Sequence, residues 1–239
     1  MTGAEKIVGI LGGMGPEATV DFMAKVIALT PADKDQDHVR MLVDHNPKVP
    51  NRQAAILSNG QDPRPTLALM AQGLQEAGAD FLVVPCNTAY VFQDAITTAT
   101  TIPLISIIDV TIEAISEARP DVSSVGVLAT DGCLRAGIYQ QSLADAGLQA
   151  VLPTNDELTE LMRLVDGVKA GIKGVPVSEA MQALASSLEA RGAQAIIAGC
   201  TEIPLVLDAA MLNVPLISST DMLAQKTVLL ARGDEPLPE

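Results

Sequence analysis

Short apolar runs rich in β-branched residues recur along the chain, each closed by Gly, Pro or a polar turn residue. The stretches between them carry apolar positions at helical spacing, and this alternation is the pattern of an α/β fold with largely parallel strands. Strands are predicted near Ile7 to Leu11, Val39 to Val43, Phe81 to Val84, Leu104 to Ile105, Val125 to Ala129, Ala195 to Ala198 and Leu216 to Ile217. Helices fill most of the gaps. Pro16 suits the first position of a helix running through Asp21 and Lys25, where a missing N–H leaves no hydrogen bond unmade. Leu67, Met70, Leu74 and Ala77 form an apolar stripe that stops at Gly78, and Met181, Leu184 and Leu188 form another before Gly192. Two segments, Asn46 to Pro65 and Pro153 to Pro176, read as long irregular connections.

The pattern repeats. Gly78-Ala-Asp-Phe-Leu-Val-Val-Pro-Cys86-Asn87-Thr88 is echoed by Gly192-Ala-Gln-Ala-Ile-Ile-Ala-Gly-Cys200-Thr201-Glu202, close to half a chain further on. Ile102-Pro-Leu-Ile-Ser returns as Val214-Pro-Leu-Ile-Ser, and the run from Ile7 returns at Val125. A duplicated unit is the simplest reading. It predicts two similar α/β lobes with mostly parallel sheets related by pseudo-twofold symmetry, 1–105 with 221–239 returning to it and 106–220, and an active site in the cleft between them. In open α/β sheets ligands bind beyond the carboxyl ends of the strands, which is where both cysteines fall.

Composition narrows the function. A hydrophobic content of 48% is spread in short runs with no apolar stretch of the ~20 residues that a spanning helix needs, and the expected place is the cytoplasm. Three cysteines without scaffold spacing read as free thiols. The two histidines, His38 and His45, are remote from them in sequence, so no metal site is expected. A formal charge of −14 disfavours nucleic acid and anionic membranes, and an anionic small molecule would need local cations to overcome it.

A lone buried cysteine is usually a packing residue, but Cys86 and Cys200 are a matched pair, each followed by small polar residues that suit a solvated, hydrogen-bonding loop. Cys133 has no counterpart in the other half and reads as a bystander or a wall. Gly13, Gly15 and Ala18 loosely match a dinucleotide fingerprint. The acidic residue expected ~20 positions on is missing and Pro16 lacks an amide, so the turn reads instead as backbone amides near a small anion. Arg52 lies in a Pro-flanked loop (Pro47, Pro50) that leaves a strand on the cleft side and suits a carboxylate clamp, while Lys169 is the corresponding cation of the second half.

Across nearly its whole length the chain resembles the aspartate racemases of the cofactor-independent aspartate/glutamate racemase family. The matching pieces are Gly9-Ile-Leu-Gly-Gly-Met-Gly-Pro-Glu-Ala18, Asn46-Pro-Lys-Val-Pro-Asn-Arg52, Asp62-Pro-Arg-Pro65, Pro85-Cys-Asn-Thr-Ala89, Gly167-Val-Lys-Ala-Gly171 and Ala198-Gly-Cys-Thr-Glu202. The resemblance implies a homodimeric isomerase that uses neither pyridoxal phosphate nor metal, with Cys86 and Cys200 as the two bases. It implies that Met14, Asn87, Thr88, Thr130 and Thr201 line the pocket and that Arg52 and Lys169 favour an acidic side chain. Tyr90 stands where the first motif usually closes with histidine, and Cys133 stands for a usual threonine.

Two thiols on opposite faces of a planar carbanion can remove and return the α-proton, provided the abstracting one is held as thiolate by loop amides and hydroxyls. The expected reaction is interconversion of L- and D-aspartate, with glutamate as a further substrate. A racemase of broader scope, or an isomerase or decarboxylase of dicarboxylates using one cysteine, remains an alternative. A two-lobed binding protein would need the cleft but not the thiols.

Overall fold

A computed structural model describes residues 5–238. The chain divides into two compact units, Met1–Val110 with Thr220–Glu239, and Thr111–Ser219.

The first unit is built on a four-stranded parallel sheet of β1 (Val8–Gly12), β2 (Met41–His45), β3 (Phe81–Val83) and β4 (Leu104–Ile105), in the order β2-β1-β3-β4. Val8 pairs with Met41 on one side and Phe81 on the other, so β1 and β3 are central and buried on both faces, as their unbroken apolar runs require. Its helices are α1 (Pro16–Leu29), α2 (Arg52–Leu57), α3 (Arg64–Glu76), α4 (Gln93–Ala99) and the start of α5 (Ile107–Ala118).

The second unit repeats the plan with β5 (Ser124–Ala129), β6 (Gln149–Val151), β7 (Ala195–Gly199) and β8 (Leu216–Ser218), again all parallel, in the order β6-β5-β7-β8. Around it lie α6 (Asp131–Ala136), α7 (Ile138–Asp145), α8 (Asn155–Lys169) and α9 (Val175–Ala190). Leu161, Leu164, Val165 and Val168 of α8 and Met181, Leu184, Ala185 and Leu188 of α9 share one core with β7. The last helix, α10 (Ser219–Ala231), belongs almost wholly to the first unit. Lys25 of α1 bonds Asp221 of α10 at 2.6 Å, and the Lys6 N–H donates to the Ala231 carbonyl at 2.7 Å.

Three sequence expectations need correction. The second strand is Met41–His45 rather than 39–43, because pairing with β1 sets its register. Most of the segment expected to be irregular from Pro153 to Pro176 is α8, started by a capping box in which Thr154 and Glu157 bond each other's backbone N–H. Likewise α2 interrupts the segment from Asn46 to Pro65, and the Asn51 side chain caps it by accepting from the Ala54 N–H at 3.1 Å. No helix among the described residues is long and apolar enough to cross a membrane.

Candidate active site

In each sheet the chain leaves the first strand to one side and returns to the other, so the crevice at the carboxyl ends of β1 and β3, and of β5 and β7, is a topological switch point. In the first unit Met14 follows β1 and Cys86 follows β3. In the second, Thr130 follows β5 and Cys200 follows β7. Each thiol therefore stands at the place where this topology opens its sheet.

Cys86 is 7% exposed and Cys200 5%, and Met14, Asn87, Thr88, Thr130, Thr201 and Glu202 are all buried. The solvated loop expected around the thiols is a sheltered one, because both segments lie at the ends of strands covered on both faces. A tight turn makes the first loop. The Cys86 N–H donates to the Val84 carbonyl at 2.8 Å, and the Ala89 N–H to the Cys86 carbonyl at 3.1 Å, entering a 3₁₀ turn over Asn87–Phe92. Arg64 lies over the ring of Phe92 at 4.8 Å and pairs with Asp62 and Asp94, so this motif arginine braces the outside of the turn.

Cys200 has a different chemical setting. Its Sγ donates to Glu202 Oε2 at 3.0 Å, and Thr201 Oγ1 donates to the same oxygen at 3.3 Å. Burial pushes the Cys200 thiol well above its ordinary value, the Glu202 carboxylate pushes it further, and the charge of Lys169 pulls the other way. Of the thiolate and the protonated partner that a two-thiol proton transfer needs, Cys200 has the surroundings of the protonated one, its thiol sheltered beside the Glu202 carboxyl. Glu202 stood in the quoted motif, but only the turn after β7 shows that its side chain folds back onto the sulfur.

Arg52 is the first residue of α2, and its Nη1 donates to the Val49 and Pro50 carbonyls at 3.1 and 3.0 Å. Its Nε is buried with no hydrogen-bond partner among the described residues. Lys169 closes α8 with an exposed side chain rather than sitting in a loop. Cys133 is fully buried in α6.

The glycine-rich turn is shaped by contact with the chain around it. The Gly13 N–H donates to Thr19 Oγ1 at 2.8 Å, which removes that amide from the set expected to face an anion. A Cβ on Gly13 would stand 2.4 Å from the Asn46 carbonyl carbon, so the glycine lets this turn pack on the loop leading to Arg52. Among the described residues no group of three or more His, Cys, Asp or Glu is placed to hold a metal ion.

Two switch-point crevices, each with one thiol after its third strand, define a duplicated α/β protein. The sequence matches the Asp/Glu/hydantoin racemase family over residues 11–227, and the chain belongs to that family. It is 31% identical over 229 residues to the broad specificity amino-acid racemase RacX of Bacillus subtilis (strain 168), covering 93% of this chain and 96% of that protein. The Picrophilus torridus aspartate racemase superposes with a TM-score of 0.85 at 29% identity, over 98% of this chain and 96% of that one. An aspartate racemase homologue from Pyrococcus horikoshii OT3 gives 0.77 at 25% identity, over 95% and 99%.

Proposed function

We propose that the protein racemises aspartate, with glutamate as a further substrate, by moving a proton at Cα between Cys86 and Cys200 without a cofactor. The observation that carries this reading is the equivalence of the two thiols, each just past the third strand of a sheet of the same order in a chain of this family. From the D enantiomer, Cys86 takes the α-proton and the neutral Cys200 thiol delivers its own to the opposite face. From the L enantiomer the same step runs in reverse: Cys200 as thiolate takes the α-proton while the Cys86 thiol supplies the other, so the two sulfurs share one proton throughout. Hydrogen-bond donors on Asn87, Thr88, Thr130 and Thr201, with Met14 as an apolar wall, stabilise charge growing on the α-carboxylate. The buried and unpaired Nε of Arg52 supports a clamp on the side-chain carboxylate, with Lys169 as a second cation.

A broader substrate range is a second reading, favoured by the similarity to a broad specificity racemase. One experiment separates the two. Free amino acids are scanned in deuterium oxide for loss of the α-proton signal, with Cys86→Ala and Cys200→Ala alongside wild type. Aspartate should exchange and invert in wild type and neither variant should invert it. Inversion within a few-fold of wild type in either variant would refute the two-base mechanism, and equal rates for neutral amino acids would establish the broader range.

A homodimer belongs to the same proposal. Val20 and Ile27 leave an exposed apolar stripe on α1 that supports it, and a solution mass near the 24.9 kDa of one chain would refute it.

A further inference from the structure

The chain has two tyrosines, Tyr90 and Tyr139, and both are buried beside a cysteine loop. In the first unit Tyr90 lies in the 3₁₀ turn after Cys86. Its hydroxyl donates to the Ile105 carbonyl at 2.7 Å, at the end of β4, and accepts from the Val84 N–H at 3.4 Å and from the Ile107 N–H. Val84 is the residue two before Cys86 and also receives the Cys86 N–H, so the turn carrying the thiol is fastened twice at one point.

In the second unit the tyrosine comes from another part of the chain, in α7, and reaches the equivalent place. The Tyr139 hydroxyl bonds the hydroxyls of Ser219 and Thr111, and Ser219 Oγ donates to the Ala198 carbonyl at 2.9 Å. Because the single Ser219 hydroxyl proton goes to Ala198, its oxygen is the acceptor for Tyr139. Ala198 is the residue two before Cys200. The Tyr139 ring also lies on Gly199, where a Cβ would stand 2.9 Å from its Cε2. The residue directly before the thiol is therefore glycine because the ring fills the space a side chain would need.

We propose that Tyr90 and Tyr139 are positioning residues for the two thiols, Tyr90 by tying Val84 directly to the end of β4, and Tyr139 by holding Ser219, just past β8, whose hydroxyl fastens Ala198. Proton transfer needs the sulfur held in line with the Cα–H bond, and a misplacement of about 1 Å costs roughly 100-fold in rate. Burial raises both tyrosine hydroxyls above their ordinary values, so they remain neutral donors while a thiol gains or loses its proton. This role rests on the racemase reading for its catalytic consequence, but not for its structural one.

The test uses Tyr90→Phe and Tyr139→Phe, which remove one oxygen and keep the ring, with Ser219→Ala as a second route to the Ala198 link. Backbone amide exchange is followed by mass spectrometry alongside aspartate kinetics. Tyr90→Phe should speed exchange roughly tenfold over residues 84–90 and leave 198–203 unchanged, and Tyr139→Phe and Ser219→Ala should do the reverse. In each variant kcat should fall by roughly 10- to 100-fold with KM within about threefold of wild type. Unchanged loop exchange, or exchange rising evenly across a whole unit, would overturn the positioning role, as would an unchanged kcat in an active enzyme. If wild type turns over no amino acid, the racemase reading fails and the exchange pattern still decides the pins.

Discussion

Arg52→Gln separates recognition of an acidic side chain from support of a loop. In the structure the guanidinium does two things. Nη1 holds the Val49 and Pro50 carbonyls at 3.1 and 3.0 Å, and Nε is buried with no partner among the described residues, a donor that a planar carboxylate could take. Losing the two carbonyl bonds should cost about 1–2 kcal/mol, since glutamine can replace part of them, and that loss falls on every substrate alike. Losing a desolvated charge-assisted fork should cost about 2–5 kcal/mol more, and only for substrates that carry the second carboxylate. Aspartate should therefore lose roughly 30-fold to several thousand-fold in kcat/KM beyond whatever alanine loses. The assay is racemisation of aspartate and alanine by wild type and variant, and the quantity that decides is the ratio of the two kcat/KM values, from which the loop cost cancels. Arg52→Lys keeps a point charge but not the fork, and should recover only part of the aspartate preference. A ratio unchanged within about threefold would show that Arg52 braces the loop, and would move the side-chain contact to Lys169.

The Cys200 thiol, raised by burial and then by Glu202, stays protonated until pH passes above its ordinary range, so turnover from L-aspartate should rise on going alkaline. Glu202→Gln removes the carboxylate charge and should move that rise to lower pH; an unmoved profile in kcat against pH would refute the assignment. Arg191 bonds Glu157 through two nitrogens at 2.9 and 2.8 Å and holds its carboxyl down at about 2. Because the folded value lies below the unfolded one near 4.3, this contribution is present above that pH and lost as pH falls toward about 2. Glu157→Gln should cost about 1 kcal/mol near neutral pH, allowing for solvent screening, and lower Tm by about 2–4 °C, a difference that should vanish in strong acid. Gly199→Ala places a methyl 2.9 Å from Tyr139 Cε2 and 3.2 Å from the Leu128 carbonyl, and denaturant unfolding should show a loss of about 1–3 kcal/mol, with no loss arguing that the ring moves freely.

The central strands were legible because burial on both faces writes an unbroken apolar run, as in Val8–Gly12, Ser124–Ala129 and Ala195–Gly199. The edge strand Gln149–Val151 was not, since Gln149 is exposed and only its pairing with β5 makes the segment a strand. The helix over Asn155–Lys169 was readable in principle from Thr154, Glu157 and the stripe of Leu161, Leu164, Val165 and Val168. Pro153, Gly167, Gly171, Gly174 and Pro176 give the segment the composition of a loop, although the prolines and two of the glycines fall beside the helix and only Gly167 falls within its last turn. At the site, both thiols could be found by repetition. Their surroundings could not, because Tyr139 and Ser219 reach Cys200 from distant parts of the chain and leave no local spacing to read.

The repeat is also less symmetric than the sequence echo suggests, and the asymmetry has a kinetic consequence. Cys200 has a carboxylate acceptor two residues on, whereas Cys86 is followed by Asn87 and Thr88. The pins under the two thiols come from different elements, one a turn after its cysteine and the other a helix before it. Two unlike bases acting on mirror-image substrates cannot bias the equilibrium, since enantiomers have equal free energy in water and kcat/KM must be equal in the two directions. What unlike bases can change is how that common value divides. In the proposed mechanism, the form of the enzyme awaiting the L substrate carries a thiolate on Cys200 against burial and Glu202, and the form awaiting the D substrate carries that site neutral. Kcat and KM should therefore both differ between enantiomers while their quotient does not, and Glu202 is the residue whose charge sets the difference.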